Sequence, residues 1–159
     1  MNLLVTGGAG FIGSHVAEAL LGLGHRVLVV DDLSTGKMEN VPPGAEFEKM
    51  DIRDPRLKRV AEAFCPEVIF HLAAQMDVRR SVADPIFDAD VNILGTIRLV
   101  EAARACNCRK IIFSSTGGAI YGEQEVFPAP ESHPCRPESP YGLSKLCAEH
   151  YLEYFSRHG

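Results

Sequence analysis

The chain has 159 residues, 46% of them hydrophobic, and a formal net charge of −5, which allows one ordinary buried core but not two full ones. The acidic balance and the lack of any Lys/Arg run exclude a face for tracking phosphates, so no nucleic-acid partner is expected. No apolar stretch approaches the length of a bilayer span, and MNLLVTGG leads into a strand and a Gly-rich turn rather than a leader pattern, so a soluble cytoplasmic protein with no membrane contact is expected. Cys65, Cys106, Cys108, Cys135 and Cys147 are odd in number and form no C-x-x-C pair. Neither a disulfide framework nor a metal site follows, and buried or inert thiols are expected.

Short apolar runs alternate with longer amphipathic stretches, the pattern of βαβ units feeding a parallel sheet. Strands are expected at Asn2–Thr6, Arg26–Asp31, Glu46–Asp51, Val68–Leu72 and Lys110–Ser115. The runs LLV, VLVV and VIF are apolar on successive residues, as in strands covered on both faces. The fold class is therefore α/β with a doubly wound parallel sheet. The first helix carries Ile12, Val16, Leu20 and Leu23 at helical spacing and stops at Gly24. Further helices are expected over Pro55–Phe64, with Asp54 as cap, over Asp88–Ala105, and over Pro140–Arg157, with Ser139 as cap and Pro140 in the first position. Pro128, Pro130, Pro134 and Pro137 make the stretch from Glu123 to Pro140 a loop. Nothing marks a linker between two cores.

Strand one runs into TGGAGFIGSH, where Gly7, Gly10 and Gly13 recur every third residue before a helix that begins near Phe11. Such a turn lets backbone approach a pyrophosphate and presents helix N-terminal N–H groups to its charge. Asp31 ends the second strand, where a carboxylate accepts from adenosine ribose hydroxyls and repels a 2′-phosphate, which selects NAD over NADP. Asp32 is the turn residue beside it. Asp51 closes the third strand, placed to accept from an adenine amino group while Ile52 lies against the ring. Ala73 and Ala74 end the fourth strand with small side chains that leave room for a cofactor, and His71 is expected to be a satisfied core histidine. Arg79 and Arg80 are read as surface charges. Tyr141 and Lys145 stand four residues apart on one helical face, after Ser114-Ser115-Thr116. A phenol titrating near roughly 10 is a poor base at neutral pH, but an adjacent ammonium and a positively charged nicotinamide would both stabilise the phenolate.

TGGAGFIGSH, Asp31 after VLVV, DIRD, HLAA, VNILGT, FSST and YGLSK stand in the order found in the extended short-chain dehydrogenase/reductase family. The chain resembles that family's NAD-dependent epimerase/dehydratase members over essentially its whole length. The resemblance implies a Rossmann-type sheet and an NAD cofactor. It further implies that Tyr141 is the catalytic base, that Lys145 lowers its pKa and binds the nicotinamide ribose, and that Thr116 holds the sugar hydroxyl being oxidised. Cofactor contacts are implied at Gly7, Gly10, Phe11, Ile12, Gly13, Asp31, Asp32, Asp51, Ile52, Leu72, Ala73, Ala74, Asn92, Ser114, Tyr141 and Lys145. Dehydratases of the family place an Asp-Glu pair after the Ser/Thr, and decarboxylases often place a Glu. Here Thr116 is followed by Gly117, Gly118 and Ala119, and FSSTGGAIYGE is similar to the UDP-glucose 4-epimerase branch. A UDP-hexose substrate is implied. A dehydratase, decarboxylase or reductase, and a non-catalytic NAD-binding module, remain as alternatives. Family members are longer, which implies that this chain stops before the last strands and the nucleotide-sugar-binding C-terminal portion. In the family, helices matching Asp88–Ala105 and Pro140–Arg157 pair across a homodimer.

Overall fold

The structure, a computed structural model, describes residues Met1–His158. Five strands form one parallel sheet in the order β3-β2-β1-β4-β5. β1 (Asn2–Thr6) and β2 (Arg26–Asp31) have the bounds that their apolar runs predict. β3 (Glu46–Lys49), β4 (Val68–His71) and β5 (Lys110–Phe113) stop one or two residues short of the expected ends. The reason is visible after β3, where the Asp51 carboxylate bends the chain by accepting the Arg53 N–H at 2.8 Å.

The period-2 geometry of the strands divides their side chains between two layers. Leu4, Leu28, Val30 and Ile69 pack with Met50 and Ile52, with Leu57, Ala61 and Phe64 of α2 (Leu57–Phe64), and with Leu99, Ala102 and Ala103 of α5 (Gly95–Ala105). Val5, Val27 and Val29 form the other layer with Ala17 of α1 (Phe11–Gly22). Helices thus cover both faces, as a doubly wound sheet requires. The strand order reverses beside β1, so the ends of β1 and β4 form the switch point where ligands of such sheets bind.

The buried face of α1 differs from the expected one. Gly13 and Ala17 are its buried residues, Val16, Leu20 and Leu21 flank them, and Ile12 and Leu23 are exposed. Small residues let the helix approach the sheet closely, which rotates the larger ones outward. Gly24, at φ +79°, follows the end of the helix as predicted. Asp54 does not cap α2. Its carboxylate accepts the Arg56 N–H at 2.8 Å in a local turn, and the helix starts two residues later than expected.

The chain divides into two compact units, where a single core was expected. The first is Met1–Ala74 with Arg98–Ser114, and the second is Gln75–Ile97 with Ser115–Gly159. The sheet and both core layers lie in the first. In the second, α3 (Val78–Ala83) is capped by Asp77, whose carboxylate accepts from the Arg79 and Arg80 N–H groups. α4 (Pro85–Ala89) is capped by Asp84, with Pro85 in the first turn. The helix expected from Asp88 therefore begins at Pro85, and a π-helical turn over Asp90–Leu94 interrupts it before α5. α6 (Gly117–Ile120) follows β5 in the chain, residues 122–138 contain neither helix nor strand, and α7 spans Pro140–His158. Ser139 caps α7 as predicted, its hydroxyl accepting the Gly142 N–H at 3.1 Å. Of the thiols expected to be buried or inert, Cys65 and Cys135 are exposed. Among the described residues, no helix is long and apolar enough to cross a membrane.

Candidate functional site

In the first unit, the glycine turn is a close contact between backbones. Gly7 has φ +70°, and a Cβ there would lie 2.6 Å from the Ala73 nitrogen. A Cβ on Gly13 would lie 2.2 Å from the Gly7 carbonyl oxygen. The turn is closed by the Gly7 N–H donating to the Val30 carbonyl (2.8 Å) and the Gly10 N–H to the Gly7 carbonyl (3.1 Å). Gly10 starts α1 without any side-chain cap. The first-turn N–H groups, which have no intrahelical acceptor, are therefore left for an anion. Phe11 and Ile12 stand exposed beside them.

Asp31 is held at the end of β2. One carboxylate oxygen accepts the Ala9 N–H at 3.0 Å and the other the Leu33 N–H at 2.8 Å. Each oxygen keeps a lone pair for a further donor. Asp32 is the turn residue, accepting the Ser34 N–H at 2.8 Å. These features suit the adenosine and pyrophosphate end of a dinucleotide: a backbone cradle that a Cβ would fill, and a fixed carboxylate one strand away.

Two residues expected next to this end, Asp51 and Ile52, have other partners within the chain. Asp51 is bound by its own neighbour, the Arg53 guanidinium, at 2.6 Å, and that hydrogen bond holds its carboxyl below the usual carboxylate range. Ile52 is a core residue with 4% exposure, so almost no surface remains to cover an adenine ring. Leu72 and Ala73 also pack against the core layers, and Ala73 donates to the Thr6 hydroxyl. Ala74 is half-buried and Ser114 exposed, its N–H bonded to the His71 carbonyl. His71 is fully buried, with Nδ1 2.7 Å from the Thr6 hydroxyl, the satisfied core histidine that was expected.

The second unit holds Thr116, Tyr141 and Lys145. Gly142 decides how α7 sits on α6: a Cβ there would lie 2.3 Å from the Ala119 carbonyl oxygen. That approach brings Tyr141, one residue earlier, next to Thr116, whose side chain hydrogen-bonds the phenol. Lys145, one turn further along α7, is 3% exposed. Burial pushes the Tyr141 phenol above its ordinary value, and the Thr116 hydrogen bond only partly offsets this. Desolvation also brings Lys145 down to about 8. Both groups are held toward their neutral forms by burial.

Asn92 lies in the π turn at 3% exposure. Its amide donates to the Gln75 carbonyl (2.9 Å) and to Asp88 Oδ1 (3.0 Å), while its oxygen accepts the Gln75 N–H (3.0 Å). It braces the π turn against Gln75 and Asp88. Sequence reasoning missed Gln75 and Asp88, its partners, as well as Gly142. The Asp-Pro pair at 84–85 was the readable signal for the earlier helix start; nothing in the sequence marked the π turn.

The NAD dependent epimerase/dehydratase family matches residues 3–159. The UDP-glucose 4-epimerase of Mycolicibacterium smegmatis is 49% identical over 160 residues, an alignment covering 98% of this chain and 51% of that protein. The structure of the Thermotoga maritima UDP-glucose 4-epimerase with UDP-glucose superposes with a TM-score of 0.97 at 50% identity, over 99% of this chain and 52% of that one. The Thermus thermophilus UDP-glucose 4-epimerase complex with NAD gives 0.95 at 50% identity, over 99% and 51%. The chain thus spans about half the length of the relatives it matches.

Proposed function

We propose that this chain, which belongs to the NAD dependent epimerase/dehydratase family, is the NAD-binding portion of a cytoplasmic nucleotide-sugar 4-epimerase acting on a UDP-hexose. The observation that carries this reading is the pairing of Tyr141 with Thr116 next to a segment, Gly117–Ala119, that offers no carboxylate for elimination. Asp88, the carboxylate whose charge reaches Tyr141, is fully buried and cannot meet a sugar.

The Gly7–Gly13 turn and Asp31 would hold the pyrophosphate and adenosine ribose of NAD, and Lys145 the nicotinamide ribose. When bound, NAD supplies a hydride acceptor at C4 of the sugar and returns the hydride to the opposite face, with no net redox change. Thr116 fixes the C4 hydroxyl. Tyr141 accepts its proton and later gives it back, and the charge of Lys145 favours the phenolate during that exchange. The nucleotide-sugar pocket is assigned to the remaining length that the relatives possess. A homodimer through the second unit is supported by Ile86, Leu94, Leu143 and Tyr154, apolar side chains exposed on the helices that pair in the family.

The test joins this chain to the C-terminal half of the Thermotoga maritima epimerase and supplies UDP-galactose. UDP-glucose of unchanged mass is expected, with turnover reduced by about 10²- to 10⁴-fold in Tyr141→Phe. A product lighter by water or carbon dioxide would move the assignment to a dehydratase or decarboxylase. Undiminished turnover in Tyr141→Phe would remove Tyr141 as the base, and NAD binding with no turnover in the parent protein would leave a non-catalytic NAD-binding module. Sedimentation of this chain as a monomer at micromolar concentration would remove the dimer.

A further inference from the structure

Asp88 of α4 is fully buried, yet only one of its oxygens is satisfied. Oδ1 accepts from Gln75 Nε2 and Asn92 Nδ2, each at 3.0 Å, while Oδ2 is buried with no hydrogen-bond partner among the described residues. An unpaired buried carboxylate oxygen costs several kcal/mol unless a cation answers it. α4 packs against α7, and Lys145 on α7 is a buried cation.

We propose that Asp88 is a positioning residue that acts through Lys145: a carboxylate clamped by Gln75 and Asn92 that supplies the fixed negative charge against which the Lys145 ammonium is held. The charge of Asp88 opposes the desolvation of Lys145 and also raises the Tyr141 phenol, so both members of the Tyr/Lys pair feel it. The remaining groups around Lys145 are few. Glu149, on α7 itself, acts in the same direction and more strongly than Asp88, and it is unchanged in the variants that test the proposal. α6 carries no ionisable side chain, α3 carries Arg79 and Arg80, both exposed, and the π turn carries Asp90. A purely structural role, in which Asp88 only ties Gln75 to Asn92, would require the Oδ1 acceptor and not the charge.

Asp88→Asn separates the two roles, because an amide keeps an acceptor oxygen for Gln75 and Asn92 and removes the charge. The Lys145 titration is read by NMR on the chain labelled with ¹³C at lysine Cε, the signal being assigned by its loss in Lys145→Met. Neither NAD nor sugar is present, so although Lys145 belongs to the proposed site, the outcome is independent of the epimerase reading. In Asp88→Asn, Lys145 is expected to titrate about one unit below its value in the parent chain. An unchanged value, or a rise toward 10.5, overturns the proposal. If Asp88→Asn lowers the melting temperature, adding Lys145→Met is expected to recover the loss, since the uncompensated cation is then gone. Failure to recover it would mark Asp88 as structural only.

Discussion

Gly13→Ala is expected to destabilise the chain by about 3 kcal/mol or more and to abolish dinucleotide binding. The added methyl would stand 2.2 Å from the Gly7 carbonyl oxygen and 2.8 Å from the Gly8 Cα, and both are backbone atoms that no rotamer change can move aside. The Gly7 turn lies against Ala73, so α1 must lift away from the ends of β1 and β4. Gly22→Ala, at the other end of the same helix, is the control. Nothing lies within 4 Å of its Cβ position, and alanine there is expected to be neutral or stabilising by about 0.5 kcal/mol. Urea unfolding of both variants checks this. Equal effects would mean that the turn has slack that the distances deny.

The second large effect is a pH dependence of stability from Lys145. Its folded value of about 8 lies below the ordinary 10.5. Between these values the unfolded chain binds a proton that the folded chain does not, so stability rises with pH. Below about pH 8 the full penalty of the buried ammonium, on the order of 3 kcal/mol, is present. Burial raises Tyr141, Cys106 and Cys108 instead, and these groups lose stability as pH climbs through and above their ordinary range. Between pH 8 and 9 Lys145 is expected to contribute a gain of about 1 kcal/mol, and the thiols, whose ordinary value of 9.0 lies at the end of this window, offset part of it equally in the parent chain and in Lys145→Met. Lys145→Met should remove that gain. The same gain in both proteins, measured by urea unfolding at the two pH values, would contradict the assignment to Lys145.

The sheet was legible because each strand is buried on both faces, and an unbroken apolar run such as VLVV has few other uses. Gly7, Asp31, Tyr141 and Lys145 were legible for a different reason, since each is a residue type that its position restricts. The remaining features depend on contacts between segments distant in the chain. Asp51 reads as a free acceptor until Arg53 is seen to occupy it, and Ile52 as a ring cover until it is found in the core. Asn92 reads as a pocket residue, but its amide is spent on Gln75 and Asp88, seventeen and four residues away in sequence. The burial that raises the Tyr141 phenol was not legible, because charge can be counted from sequence whereas burial cannot.

The central claim, that the Gly7–Gly13 turn and Asp31 form an NAD site, is tested most directly by calorimetric titration of this chain with NAD and with NADP, repeated on Asp31→Asn. Saturable binding that favours NAD is predicted, with that preference reduced about tenfold in Asp31→Asn because the amide no longer repels a 2′-phosphate. A folded chain that binds neither dinucleotide, or binds NADP as tightly as NAD, would contradict it.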